Sequence, residues 1–205
     1  MQLPTTLLFQ SWRELGHYVT YISGTRETYI IRQSVSDKSK NWQRMTRINL
    51  VRVEDLADQH LFAEWREIKM IVPAAKRSLH AQPVAKIYEK ICPQYTLNTG
   101  HVTFFYNKLA FLKARFDLLT VECYQRGFDI TPFEFRTDDY YFVYGSIGQK
   151  DWQPTKRDVQ VNVERVSQRL NEKPNWYRYY GDVYSPDFFI DRYNQQLLFD
   201  TIAVV

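Results

Sequence analysis

The chain has 205 residues, 44% of them hydrophobic, with 15 Tyr, 13 Phe and 5 Trp, which is enough for one or two domains with a real core. Its 27 Lys and Arg against 23 Asp and Glu leave a formal charge of +4, mild but permissive of a polyanionic partner. No stretch approaches the roughly 18 consecutive apolar residues of a membrane span, and the start, MQLPTTLLFQ, lacks the basic region that opens a secretory signal. Cys92 and Cys123 lie far apart and outside any CxxC spacing, so neither a disulfide framework nor a zinc site is expected and a reducing cytoplasm is the simplest compartment.

Residues 1–44 stand apart as an N-terminal extension. HYVTYIS and TYIIR alternate around Gly24 to Glu27, which reads as a hairpin, and Ser34 to Lys40 reads as a polar linker. An isolated hairpin is marginal alone, so the extension is expected to be a β-hairpin or disordered. A first long helix is predicted from about Asp58 to His80, with Leu61, Trp65, Ile68 and Val72 on one stripe, Asp55 or Asp58 as its cap, and Pro73 kinking or restarting it. A second runs from about His101 to Arg126, with Val102, Phe105, Leu109, Leu112, Phe116, Leu119 and Cys123 inward, Thr99 as cap and Gly127 as stop. An irregular stretch rich in Tyr, Phe and Gly follows, to about Gln153. A third helix then runs from about Lys156 to Asn171 with Val159, Val163, Val166 and Leu170 inward. NWYRYYGDVYSPDFFIDRY is too aromatic and too turn-rich for a regular helix. The expected fold is all-α: about three main helices in one compact domain over 45–184, with aromatic-rich loops and a C-terminal tail over 185–205.

His60, Glu64, Glu67 and Ile71 share one stripe of the first helix, and alone they read as a solvated face with a few i,i+4 charge pairs. Arg165 and Arg169 lie four apart, off the apolar stripe of the third helix, and PNWYRYYG follows. Cations along one face suit phosphates and aromatic rings suit bases, although a solvated basic face and a packed aromatic anchor have the same composition.

Five blocks in one order change the weighing: MTRINL at 45–50, EDLADQHLFAEWRE at 54–67, GHVTFFYNKL at 100–109, ECYQRGFDI at 122–130 and WYRYYG at 176–181. From Met45 to about Tyr184 the chain resembles the pyrimidine-dimer DNA glycosylase/AP lyases, the phage and algal-virus ultraviolet endonucleases of the endonuclease V type. The resemblance implies base-excision repair of ultraviolet damage in double-stranded DNA, by a monomer using neither metal nor organic cofactor, in a protein of bacterial, phage or viral origin.

It also implies roles. Thr46 stands where the family exposes a threonine α-amine after removal of Met. Such an amine, with a pKa of about 7.7–8.0, is roughly 10% neutral at pH 7, whereas a lysine near 10.4 is only about 0.04% neutral. Attack on C1′ expels the base and leaves an imine, the electron sink for β-elimination. Glu67 matches the catalytic carboxylate, which stabilises cationic sugar character and moves protons. Arg66 matches an arginine beside the lesion, and Arg47 and His60 the active-site surroundings. Arg165 and Arg169 match a phosphate-binding pair, and Trp176, Tyr177, Arg178, Tyr179 and Tyr180 the aromatic DNA-binding segment. The sequence departs from the pattern twice. Met70 replaces a basic residue, and Lys69, the cation offered instead, points about 100° away around the helix. Thr46 also follows 45 residues, so in the uncut chain its nitrogen is an amide without useful nucleophilicity. Translation from Met45, cleavage before Thr46, and a damage-binding relative without catalytic activity are the three readings left open. A small second residue, which permits Met removal, favours the first.

Overall fold

Amphipathic helices bury their apolar stripes against one another, and the chain does this from Asp58 to Leu198. The computed structural model describes residues 19–24, 27–32, 48–97, 99–131, 137–148, 150 and 152–198. Strands β1 (Val19–Gly24) and β2 (Glu27–Arg32) pair antiparallel, from Val19 opposite Arg32 to Gly24 opposite Glu27, as the alternating sequence predicts. An extended stretch from Ile48 leads to a short 3-10 turn, Val53–Asp55, and then to the helices. These are α1 (Asp58–Ile68), α2 (Ile71–Ala81), α3 (Val84–Tyr88), α4 (His101–Phe104), α5 (Leu109–Gln125), α6 (Thr137–Ile147), α7 (Lys156–Glu172) and α8 (Pro186–Leu198). A two-residue strand pair, β3 (Arg178–Tyr179) with β4 (Asp182–Val183), turns the chain between α7 and α8. The all-α expectation holds, with more helices than the three main ones expected.

Both long predicted helices are divided. The first restarts at Ile71, which leaves Pro73 in the opening turn of α2, where a missing N–H is harmless. Its stripe is nonetheless as read, with Leu61, Trp65, Ile68 and Val72 all buried. The second breaks at residues 105–108. In a continuous helix the Phe104 carbonyl would accept the Lys108 backbone N–H; here it accepts the buried Lys108 ammonium at 2.7 Å. That ammonium also donates to Asn107 Oδ1 and lies over the Phe104 ring, and Lys108 takes φ −122°. The caps differ as well. Gly100, at φ 94°, precedes α4 in place of the expected Thr99, and a Cβ at Gly100 would run into Cys92 Sγ. Neither Asp55 nor Asp58 caps α1. Asp58 instead accepts the backbone N–H groups of Tyr180 and Gly181 and pairs with Arg126, and Asp55 pairs with Arg52 and Arg192. Gly127 does stop α5, at φ 73°, with the Phe128 N–H returning to the Cys123 carbonyl.

Two helices occupy segments read as irregular. α6 buries Val143 and Ile147 against α2, where Lys76 pairs with Asp139 at 2.6 Å. α8 opens on Pro186 and buries Phe189, Tyr193 and Gln196 along one face packed on α7, so residues 186–198 are part of the core rather than a tail. Tertiary packing outweighs the weak helix propensity of aromatic-rich sequence in both. α7 is as predicted, with Val159, Val163, Val166 and Leu170 buried and a capping box between Thr155 and Asp158 at its start.

Glu64 corrects the reading of a solvated stripe on α1. It is fully buried and held by the Nε and Nη2 edge of the Arg115 guanidinium, at 2.9 and 3.2 Å, with Asn49 donating to the same carboxylate at 2.8 Å. Removing one partner of such a pair strands the other charge in the core. Glu64→Ala should therefore lower unfolding stability by about 3–5 kcal/mol in urea titration; a loss within 1 kcal/mol of zero would contradict the buried pair.

Candidate active site and nucleic-acid interface

Residues 48–52 run through the helices with no strand beside them among the described residues, and buried backbone polar groups need partners. Side chains from several elements supply these. The Ile48 N–H donates to His101 Nε2 at 2.9 Å, and the Ile48 carbonyl accepts from the Tyr95 hydroxyl at 2.8 Å. The Leu50 N–H donates to Asn162 Oδ1 at 2.8 Å, and the Leu50 carbonyl accepts from Gln196 Nε2 at 3.1 Å. The Val51 carbonyl accepts from Arg115, and the Arg52 N–H donates to Gln196 Oε1. Asn162 also donates to Asn49 Oδ1, which joins α7 through Asn49 to Glu64 on α1.

α7, which grips this segment, carries Arg165 and Arg169, and α1, joined to it through Asn49, carries His60 and Glu67. His60 lies one turn before Glu64 on α1, its ring 4.7 Å from that of the buried Tyr177. Burial first, then the Arg169 guanidinium, lowers its pKa from 6.5 to about 4, so the imidazole is neutral at pH 7. The same Arg169 acts on the Tyr177 hydroxyl, which places His60, Arg169 and Tyr177 together. Glu67, half-buried, lies three residues beyond Glu64 on the same side of α1. Arg165, a turn before Arg169, lines an open cleft of ≈ 640 Å³ with Tyr95, Thr96, Leu97, Arg157 and Gln168. Tyr95 thus serves both the cleft wall and the grip on Ile48.

The aromatic segment is fastened to the start of α1. Gln59 accepts the Arg178 N–H and donates to the Trp176 carbonyl, while Asp58 holds Tyr180 and Gly181. The turn is tight: Tyr180 has φ 51° and Gly181 φ 87°. Trp176 and Tyr180 are exposed, whereas Tyr177 is core and Tyr179 packs on Phe188 beneath Arg126 and Arg192. Arg178, half-buried, donates to the Gly181 carbonyl.

Arg66 and Lys69 are not brought into this group. Arg66 is exposed with its guanidinium 6.0 Å from the Phe62 ring, and the Lys69 ammonium sits 3.2 Å from the centre of the Trp65 ring. Trp65 is bonded to Thr120 on α5, so these cations lie around the helix from His60 and Glu67. Burial first, with Arg66 second, brings the Lys69 amine down to about 8. Met70, where the resemblance implies a cation, is 48% exposed. Thr46 and Arg47 lie outside the described residues. Sequence reasoning passed over Tyr95, His101, Arg115, Asn162 and Gln196, the residues that hold the segment 48–52.

Residues 45–134 match the family described as pyrimidine dimer DNA glycosylase. This stretch, which takes in the gripped segment and α1 to α5, is similar to that family, and the match supports glycosylase action in the repair of ultraviolet-damaged DNA in general. The match ends before α6, short of the resemblance read as far as Tyr184. Among the described residues no helix is long and apolar enough to cross a membrane, and no three His, Cys, Asp or Glu are grouped as metal ligands.

The buried imidazole gives the protein an acid sensitivity. His60 has a pKa of about 4 when folded against 6.5 ordinarily, so unfolding takes up a proton between these values. Its contribution to stability is complete above pH 6.5 and is lost as the pH falls toward 4. The melting temperature should fall across that window and fall less in His60→Gln; parallel curves for the two proteins would refute the assignment.

Proposed function

We propose that the chain with Thr46 as its first residue releases the 5′ base of a cyclobutane pyrimidine dimer and then cuts the strand through an imine on the Thr46 α-amine. The observation that carries this reading is the grip on residues 48–52. It supports an N-terminal nucleophile because an α-amine has no side chain to position it and depends on the backbone that follows. Thr46 precedes Ile48 by two peptide units, about 7 Å at full extension, and Ile48 is held at both its polar groups.

In this mechanism the neutral amine attacks C1′ and the glycosidic electrons leave with the base. Loss of a proton and opening of the sugar ring give the imine, which draws electrons from C2′ as a proton leaves there. The C3′–O bond then breaks with phosphate as leaving group, and water returns the amine. Glu67 stabilises the cationic sugar and carries the protons. Arg165 and Arg169 take phosphates, exposed Trp176 and Tyr180 offer ring faces to bases, and His60, neutral at pH 7, borders the sugar without repelling the iminium. Extruding a nucleotide costs a few kcal/mol, least at a lesion that already stacks poorly.

A second reading rests on the chain's own covalent structure. With residues 1–45 attached, the Thr46 nitrogen is an amide, and the protein is a damage-binding module. The test compares the uncut chain, the protein beginning at Thr46, and its Glu67→Gln variant on one dimer-containing oligonucleotide, with each N-terminus confirmed by mass spectrometry. Only the protein beginning at Thr46 with Glu67 intact should cleave. It should also form a borohydride-trapped complex, and the Gln variant should still bind. Equal trapping by the uncut chain would overturn the N-terminal mechanism, and normal cleavage by Glu67→Gln would remove Glu67 from it.

Arg165→Ala and Arg169→Ala should each weaken binding to damaged and undamaged duplex alike, and should flatten the log Kd against log salt plot by about one unit. An altered lesion preference at unchanged slope would refute phosphate contact.

A further inference from the structure

His101 holds Ile48 by its N–H, the polar group on the Thr46 side, and the contacts of its ring fix it in place. Nδ1 lies 2.6 Å from the Thr96 carbonyl and Nε2 2.9 Å from the Ile48 nitrogen. A carbonyl only accepts and a backbone N–H only donates, so the proton sits on Nδ1 and the Nε2 lone pair receives Ile48. The rings of Tyr95 and Phe105 meet it edge-on at 5.5 and 5.3 Å, and it is 6% exposed. Its backbone follows Gly100, whose approach to Cys92 leaves no room for a Cβ. Few residues suit such a place: an aliphatic side chain offers no acceptor, and a lysine offers only donors.

We propose that His101 is a positioning residue for the Thr46 amine, setting through the Ile48 N–H the direction in which the chain leaves toward the reacting sugar. This rests on the amine reading above. The Tyr95 hydroxyl holds the Ile48 carbonyl, but one bond leaves the residue free to swing about its own backbone; the second bond, from the other side, removes that freedom. Displacing a nucleophile by about 1 Å can cost on the order of a hundredfold in rate without touching substrate binding. The role is therefore separable from folding and from DNA affinity.

The experiment uses the protein beginning at Thr46; the described hydrophobic core draws on residues 48–197, all retained in it. Single-turnover base release and Kd for a dimer-containing duplex are measured for His101→Leu, His101→Gln and Tyr95→Phe, with melting curves for each. His101→Leu should slow base release about tenfold or more at a Kd within about threefold. His101→Gln, whose amide oxygen can receive the Ile48 N–H, should recover most of the rate. Should His101→Leu fail to fold, Tyr95→Phe, which loses the hydroxyl that donates to Ile48 and accepts from Asn162, should still slow release severalfold at unchanged Kd. A leucine variant as fast as its parent, a glutamine variant as slow as the leucine one, or a Kd rising in step with the lost rate would each overturn the proposal. An unsubstituted protein that releases base but cannot be trapped with borohydride would overturn the amine reading, and with it the role of His101.

Discussion

A short extended segment in the middle of a helical core is the constraint on which the rest depends. Helices satisfy their own backbone and sheets satisfy each other's, so a lone strand among helices has neither source. Each buried N–H or C=O left unpaired would cost about 1–3 kcal/mol. Residues 48–52 escape that cost because His101, Tyr95, Asn162, Gln196 and Arg115 reach in from the loop before α4 and from α4, α7, α8 and α5. Once these side chains are committed, others follow. Arg115 needs a counter-charge in the core and finds it in Glu64, and Glu64 accepts Asn49, which accepts Asn162.

The same constraint bears on chemistry. An enzyme whose nucleophile is a side chain can position it by rotamer and packing, whereas one that uses its first amine has only the main chain. A segment pinned at alternate residues, with helices on either side, is a rigid mount for such a group. α1 and α7 are also the helices that present the candidate charges: His60 and Glu67 on one, Arg165 and Arg169 on the other. Positioning and electrostatics therefore share a framework. The neutral state of His60 has a consistent origin, since burial beside Tyr177 and a neighbouring guanidinium both disfavour its cation.

The sequence made the apolar stripes of α1, α5 and α7 legible because their spacing is local and strong. It also made Gly127 legible as a stop and the β1–β2 pairing as an alternation. What it hid were places where one local signal yields to a distant partner. Lys108 breaks a good helical pattern because its ammonium takes the carbonyl that the pattern needed. Asp58 carries the signature of a cap yet spends its carboxylate on Tyr180 and Gly181, residues remote in sequence. Glu64 has the spacing of a solvated charge, and nothing local shows that Arg115 waits opposite. Asn162 did leave a trace, as a polar residue within the apolar run of Val159, Val163 and Val166, where a buried amide needs partners. The roles proposed for Thr46 and Glu67 rest on resemblance, since a threonine and a glutamate carry no signal alone.

The family-matched stretch and the remainder are bound into one core by these hydrogen bonds. The matched part supplies the segment 48–52, α1 and α5, while Asn162 and Gln196, on helices beyond it, hold Leu50 and Arg52. A boundary near residue 184, natural from composition, would strip Gln196, Phe189 and Tyr193 from the core and leave the Leu50 carbonyl and Arg52 N–H without their partner. The helix that sequence composition disguised as a tail is thus tied to the same few residues that lead toward Thr46. Its contribution to any activity would pass through the backbone it holds, with no need to meet DNA.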